Sequence, residues 1–196
     1  MATLDFLCSS AEQVAPQLLG CLLVRESNGH TLIGRIVEVE AYGQADAASH
    51  SHMGRTERNS VMFGLPGHLY VYFTYGMHYC MNVVCGSSGQ GEAVLIRAIE
   101  PMRGEAHMVH NRGGRSGVGA TNGPAKACQA LHIDKRLNGH DLRVAPLQLI
   151  TQPALGPDQV VQTTRIGISR AQAAPWRFYI RGNPYVTPVP KGFHIT

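Results

Sequence analysis

The sequence predicts a single mixed α/β domain of the α+β kind, with a largely antiparallel sheet and a few surrounding helices. Three observations carry that reading. The chain has 196 residues, 44% of them hydrophobic, which suits one packed core and leaves little room for two. Several short runs rich in β-branched and aromatic residues are bounded by Asn-Gly, Gly or Pro, as antiparallel strands are. These runs do not alternate regularly with long helical segments, which argues against a doubly wound parallel sheet. No repeat, low-complexity tract or Ser/Pro linker divides the chain, so residues 1–196 are expected to form one domain.

Taken in order, Ser9 to Leu19 predicts a short helix with a Ser cap and Glu12 three residues later. Cys21–Glu26 and Thr31–Tyr42 predict two strands joined at Asn28-Gly29, a strong hairpin signal. Gly43 to Gly67 is a long loop, and loops of this length inside compact domains are usually functional. His68–Phe73 and His78–Cys85 form the next strand pair around Tyr75-Gly76. Ala93–Glu100 is a strand closed by Pro101, and Met102–His110 is expected to be helical. A glycine-rich loop, Gly113 to Gly119, precedes a helix from Pro124 to His132 that Asn122 can cap. Further strands are expected at Leu142–Ile150 and Arg177–Arg181.

Composition excludes several classes. No run approaches the ~20 apolar residues that cross a bilayer. Asp5 stands where a secretory signal carries a base. The five cysteines are odd in number and show no CxxC, which disfavours a disulfide framework and fits a reducing cytoplasmic compartment. Charge is unevenly spread. Residues 1–50 hold six acids and two bases, and the rest of the chain holds fifteen bases and seven acids. Fourteen of the 17 bases are Arg. Arg forks bind phosphate bidentately, so the bias points to nucleic acid or phosphorylated ligands, although a generic basic surface would look the same.

Three constellations could carry chemistry. In Ile36-Val37-Glu38-Val39-Glu40-Ala41-Tyr42, strand alternation puts Val37, Val39 and Ala41 on a core face. It puts Glu38, Glu40 and Tyr42 together on the other, with the carboxylates about 7 Å apart. Such a face can simply be solvated, or a carboxylate there can act as a general base. Tyr70, Tyr72, Tyr75 and Tyr79 surround a tight turn. A tyrosine at a hairpin tip either packs under another loop or acts as a wedge in a base stack. Stacking of about 1–3 kcal/mol is comparable with the few kcal/mol needed to extrude a nucleotide. Third, the long loop carries His50, His52, Arg55, Arg58 and Asn59. Two His without a third ligand at suitable spacing make a weak metal signal, and the Arg residues suit phosphate contacts.

These segments together resemble the alkyladenine (3-methyladenine) DNA glycosylase family of the mammalian type. The carriers are Arg35 to Tyr42, Ala48-Ser49-His50-Ser51, Gly54-Arg55-Thr56-Glu57-Arg58-Asn59 and Met62-Phe63. The densest match runs from that Met62-Phe63 through Pro66-Gly67-His68-Leu69-Tyr70-Val71-Tyr72 to Tyr75-Gly76-Met77 and Cys80-Met81-Asn82. Leu95 to Pro101, Gly123 to Cys128 and Arg177 to Gly182 continue it in order. His52-Met53 and Glu57 depart from the usual pattern.

The resemblance implies a curved sheet with a protruding aromatic hairpin, and specific roles. Glu40 would deprotonate a water attacking C1′ of the sugar, Arg97 would help hold that water, and the backbone carbonyl of Ile168 would accept a hydrogen bond from it. Tyr42, His50 and Tyr72 would sandwich an everted base. Asn82 would crowd the 2-amino group of guanine. Tyr75 would intercalate, with Met77 and Met62 beside the opened stack. Arg55, Arg58 and Lys126 would contact the DNA backbone, and Glu38 would act as a structural partner. The implied activity is hydrolysis of the N-glycosidic bond of a damaged purine in double-stranded DNA, leaving an abasic site. The enzyme is expected to be monofunctional, monomeric and cytoplasmic, with no cofactor, metal or membrane. Two rivals use the same residues differently. One is a non-catalytic protein binding damaged or single-stranded DNA, and the other is a metal hydrolase built on His50, His52 and His78.

Overall fold

The computed structural model describes residues 4–74 and 76–188. The described residues form three α-helices and eight strands in one curled, antiparallel sheet, the mixed α/β fold class that the sequence predicts. The chain runs α1 (Ala11–Leu18), β1 (Leu22–Ser27), β2 (His30–Tyr42), β3 (Leu69–Thr74), β4 (His78–Val84), β5 (Ala93–Arg103), α2 (Glu105–Asn111), α3 (Pro124–Ala130), β6 (Leu147–Ile150), β7 (Val160–Thr163) and β8 (Arg177–Ile180). The sheet order is β3-β4-β5-β2-β1-β6, with β8 pairing both β2 and β7.

Strand β2 is the hinge of this arrangement. β5 pairs along one edge of it. On the other edge β1 pairs with residues 30–35, and β8 then takes over at Glu38–Glu40. The sheet branches at this handover. Val37 has no partner in the register, and on β5 Arg97 is skipped in the same way. Each is the extra residue of a bulge, a device that bends a strand and re-aims a side chain. The main core accordingly gathers Ile36, Val39 and Ala41, so simple alternation from Val37 does not describe this face.

Local chemistry explains most boundaries. Asn28 and Gly29 both adopt positive φ (50° and 76°), as a two-residue hairpin turn matching strand twist requires. In α1, Ala11, Val14, Ala15 and Leu18 are buried at helical spacing. The helix starts later than Ser9, and its Ala11 N–H donates to Glu92 Oε2 at 2.7 Å. No Ser side chain caps it.

Several expectations are corrected. Pro101 does not end β5, which continues to Arg103. β4 pairs with β5 only through Asn82–Val84, so at Pro101 that edge carries no neighbour needing an N–H, where proline is tolerated. The helix expected from Met102 begins at Glu105 for the same reason, after Gly104 at φ 77°. A Cβ on Gly104 would meet Leu32 Cδ2 at 2.7 Å and Thr31 O at 3.0 Å. Asn122 does not cap α3, which follows Gly123 and ends at Ala130, because its Oδ1 accepts Lys126 Nζ at 2.7 Å. Leu142–Ile150 is a strand only from Leu147. Asp141 folds the start into a turn by accepting the Arg143 N–H at 2.9 Å. β7 has no counterpart in the sequence reading.

Beyond Asn82, the β3–β4 hairpin pairs only with itself, and so projects from the sheet. Phe73 and Met77 are exposed near its tip. Tyr75 lies outside the described residues.

Candidate active site

Strand register assembles the floor of a cavity. Tyr70 on β3 faces Asn82 on β4, which faces Leu95 on β5, which faces Glu40 on β2. These four residues line one cavity of about 520 Å³, within the range of about 300–1,000 Å³ typical of small-ligand sites. Tyr42, His50, Met62, Tyr72, Arg97 and Ile168 also line it, so ten residues from six segments meet there.

Arg97 explains why two carboxylates can be buried side by side. Its Nε donates to Glu38 Oε1 at 3.1 Å, and its Nη1 lies 3.1 Å from Glu40 Oε1. Burial works against the guanidinium charge, but Glu40 and Glu38 outweigh it and hold Arg97 above its ordinary value. Glu38 also receives Arg177 Nε at 2.6 Å and the Thr187 N–H at 2.7 Å. Two carboxylates thus meet two guanidiniums in a buried network, the arrangement that makes buried charge tolerable.

Of the two carboxylates only Glu40 faces the cavity, together with Arg97. Its Oε1 accepts the Ile166 N–H at 2.8 Å, and its Oε2 accepts the Tyr42 hydroxyl at 2.8 Å. A carboxylate so held has a fixed orientation and still has acceptor capacity to spare on Oε2. Burial, with Glu40 beside it, pushes the Tyr42 hydroxyl well up, so it stays a donor.

The aromatic wall comes from two segments. His50 packs edge-on against Tyr72, with ring centroids 4.5 Å apart and planes at 78°. His50 Nδ1 pairs with the Tyr70 hydroxyl at 3.0 Å. Burial and then the nearby Arg58 charge lower the His50 value, which favours the neutral imidazole. Asn59 holds the loop that presents His50. It accepts the Thr56 N–H at 2.6 Å and donates to the His50 and Gly54 carbonyls at 2.8 and 3.0 Å. Asn82 is nearly buried and donates to the Tyr70 carbonyl at 3.1 Å. The Ile168 carbonyl accepts Gln172 Nε2 at 2.9 Å, which leaves it one lone pair.

The remaining residues singled out in the sequence lie around this cavity or on its approaches. Arg55 is exposed. Arg58 is exposed too, with its guanidinium 6.0 Å from the Tyr72 centroid. Lys126 follows Pro124, which lines the cavity. Met77 is exposed near the hairpin tip, whereas Met62 is buried in the cavity wall beneath it. Among the described residues no cluster of three or more His, Cys, Asp or Glu could hold a metal ion. No described helix is long and apolar enough to cross a membrane.

Two features escaped the sequence reading. Arg177, noted only as a strand start, completes the Glu38 network. Arg165 is fully buried with Asp46 in a second ion pair, its Nη2 donating to Asp46 Oδ1 at 3.0 Å. Its guanidinium lies 4.6 Å from the Tyr42 centroid and 5.0 Å from that of Trp176. Arg165 precedes Ile166 and so anchors the segment that reaches Glu40. Asp46 and Arg165 are 119 positions apart, and no local pattern links them.

The family model for methylpurine-DNA glycosylase matches residues 5–184. A relative from Carboxydothermus hydrogenoformans, named "Putative 3-methyladenine DNA glycosylase", is 55% identical over 175 residues, covering 89% of this chain and 92% of the relative. Relatives of the same name from Methanoculleus marisnigri and Nitrosospira multiformis are 51% and 45% identical. The alignments cover 89% and 94% of this chain, and 92% of each relative. With a family model spanning nearly the whole chain and relatives this similar, the chain belongs to the methylpurine-DNA glycosylase family.

Proposed function

We propose that this protein is a monofunctional DNA glycosylase that everts an alkylated or deaminated purine from duplex DNA and hydrolyses its N-glycosidic bond. The observation that carries this reading is the single cavity-facing carboxylate, Glu40, fixed by Arg97, Tyr42 and the Ile166 N–H opposite an aromatic wall. The cavity has room for one base. The projecting hairpin beside it enters the stack that the base leaves, with Tyr75 as the wedge and exposed Met77 beside it, while buried Met62 lines the cavity wall. Exposed Arg55 and Arg58, with Lys126, supply cations for flanking phosphates.

In the proposed reaction a water sits between Glu40, Arg97 and the Ile168 carbonyl. Its oxygen bonds to C1′ as the C1′–N bond breaks, and the bonding pair leaves with the base. Glu40 takes the water's proton. Positive charge building on the sugar is stabilised by the same carboxylate. A base already cationic from alkylation leaves neutral, whereas a neutral lesion such as hypoxanthine needs a proton as it departs. Asn82 stands where a purine 2-amino group would crowd it, which disfavours normal guanine.

Duplexes carrying 3-methyladenine, hypoxanthine or ethenoadenine test the activity in parallel. Release of at least one of these bases is expected. Glu40→Gln should slow release by about 10²–10⁴-fold while lesion-DNA binding persists. Near-normal turnover in that variant removes Glu40 from its role, and a wild type that binds but releases nothing makes the protein a non-catalytic binder. A borohydride-trapped covalent adduct would refute the monofunctional assignment, since only an amine nucleophile forms one.

A further inference from the structure

We propose that Arg165 tunes lesion preference, by holding a positive charge against the face of Tyr42 that points away from the cavity. The inference rests on the glycosylase reading above. Tyr42 lines the cavity and Arg165 does not, so the ring stands between the guanidinium and any bound base. The guanidinium is held there firmly. Asp46 pairs with it, the Arg165 Nη1 donates to the Ala41 carbonyl at 2.9 Å, and the Trp176 ring centroid lies 5.0 Å from it. Its Nε is buried with no hydrogen-bond partner, so the cation is not fully satisfied by acceptors and keeps the π-face of Tyr42 as a partner.

An aromatic face attracts a cation through its negative quadrupole. Cations on opposite faces of one ring draw on the same electron density and repel each other through it. A Tyr42 already engaged by Arg165 is therefore a poorer partner for a positively charged alkylated purine, and a relatively better one for a neutral lesion. Asp46 partly cancels the charge, so removing either member of the pair has an opposite electrostatic sign. Arg165 is thus a positioning residue that acts through Tyr42, and its effect appears in the ratio between lesions.

The experiment measures kcat/KM for a cationic lesion, 7-methylguanine, and a neutral one, hypoxanthine, in the same duplex context. Arg165→Gln should raise the cationic-to-neutral ratio by about two- to fivefold. Arg165→Lys should keep the wild-type ratio. Asp46→Asn preserves shape but leaves the guanidinium unneutralised, and should lower the ratio. Loosening of the loop would slow both lesions together and leave the ratio unchanged. The proposal is overturned if Arg165→Gln leaves the ratio unchanged, if Arg165→Lys shifts it as Gln does, or if the Gln and Asn variants move it the same way. Should Arg165→Gln fail to fold, a ratio that stays level or rises in Asp46→Asn overturns the proposal alone. Failure of the glycosylase reading looks different, because the wild type then releases no base from any duplex, 3-methyladenine and ethenoadenine included.

Discussion

Replacing Glu38 by Gln should destabilise the protein strongly although Glu38 is withdrawn from the cavity. Glu38 is fully buried, and its Oε1 serves Arg97 Nε and Arg177 Nε while Oε2 accepts the Thr187 N–H. A Gln amide has one acceptor oxygen and one donor nitrogen. If the oxygen faces the two guanidiniums, the amide nitrogen opposes the Thr187 N–H. Flipped, it opposes both Arg donors. The network of two carboxylates and two guanidiniums also acquires a net positive charge in the interior. Breaking a buried pair in this way costs about 3–5 kcal/mol, against a total stability of about 5–15 kcal/mol for a domain. For a domain of this size each kcal/mol lowers Tm by about 2–4 °C, so a fall of roughly 6–20 °C is expected. Thermal and urea unfolding of the purified variant measure it. A Tm within about 2 °C of wild type would refute the view that Glu38 neutralises two buried cations. Glu40→Gln should fall by less, because Glu38 still pairs with Arg97 and the cavity can admit water.

Two further predictions follow from the electrostatics around the cavity. Arg58→Ala should reduce the slope of log K against log salt for lesion-DNA binding by about 0.9, as one phosphate contact does; an unchanged slope places Arg58 off the DNA path. His50 is held below its ordinary value of about 6.5 by burial and then by Arg58, so it gains charge only on the acid side of that value. Between about pH 5 and 8, the cationic-to-neutral excision ratio should be level at neutral pH and drop toward acid, as an imidazolium comes to repel a cationic base. His50→Asn should abolish that drop, and a drop that persists assigns it to another group.

The parts of the fold written in short-range pattern were legible. Period-2 alternation and Asn28-Gly29 define the β1–β2 hairpin, and the same alternation puts Glu38, Glu40 and Tyr42 on one face. Turn chemistry was harder to read, because one side chain has several possible partners. Asn122 satisfies Lys126 rather than a helix end, and Asp141 turns the chain before β6. Pro101 misled because proline's cost depends on whether a neighbouring strand needs its N–H, which the sequence does not state.

The sequence by itself determined the chemistry available: a strand bearing two carboxylates, a tyrosine-rich hairpin and an Arg-rich chain beyond residue 50. The tertiary structure decided how those groups divide the work. Which carboxylate faces the cavity depends on paired bulges at Val37 and Arg97, and on Arg177, 139 positions from Glu38. The charge behind Tyr42 depends on an ion pair spanning 119 positions. Side-chain alternation is a property of neighbouring residues and survives in a linear reading. The balance of buried charge belongs to groups that meet only when the sheet curls, and it exists only in three dimensions.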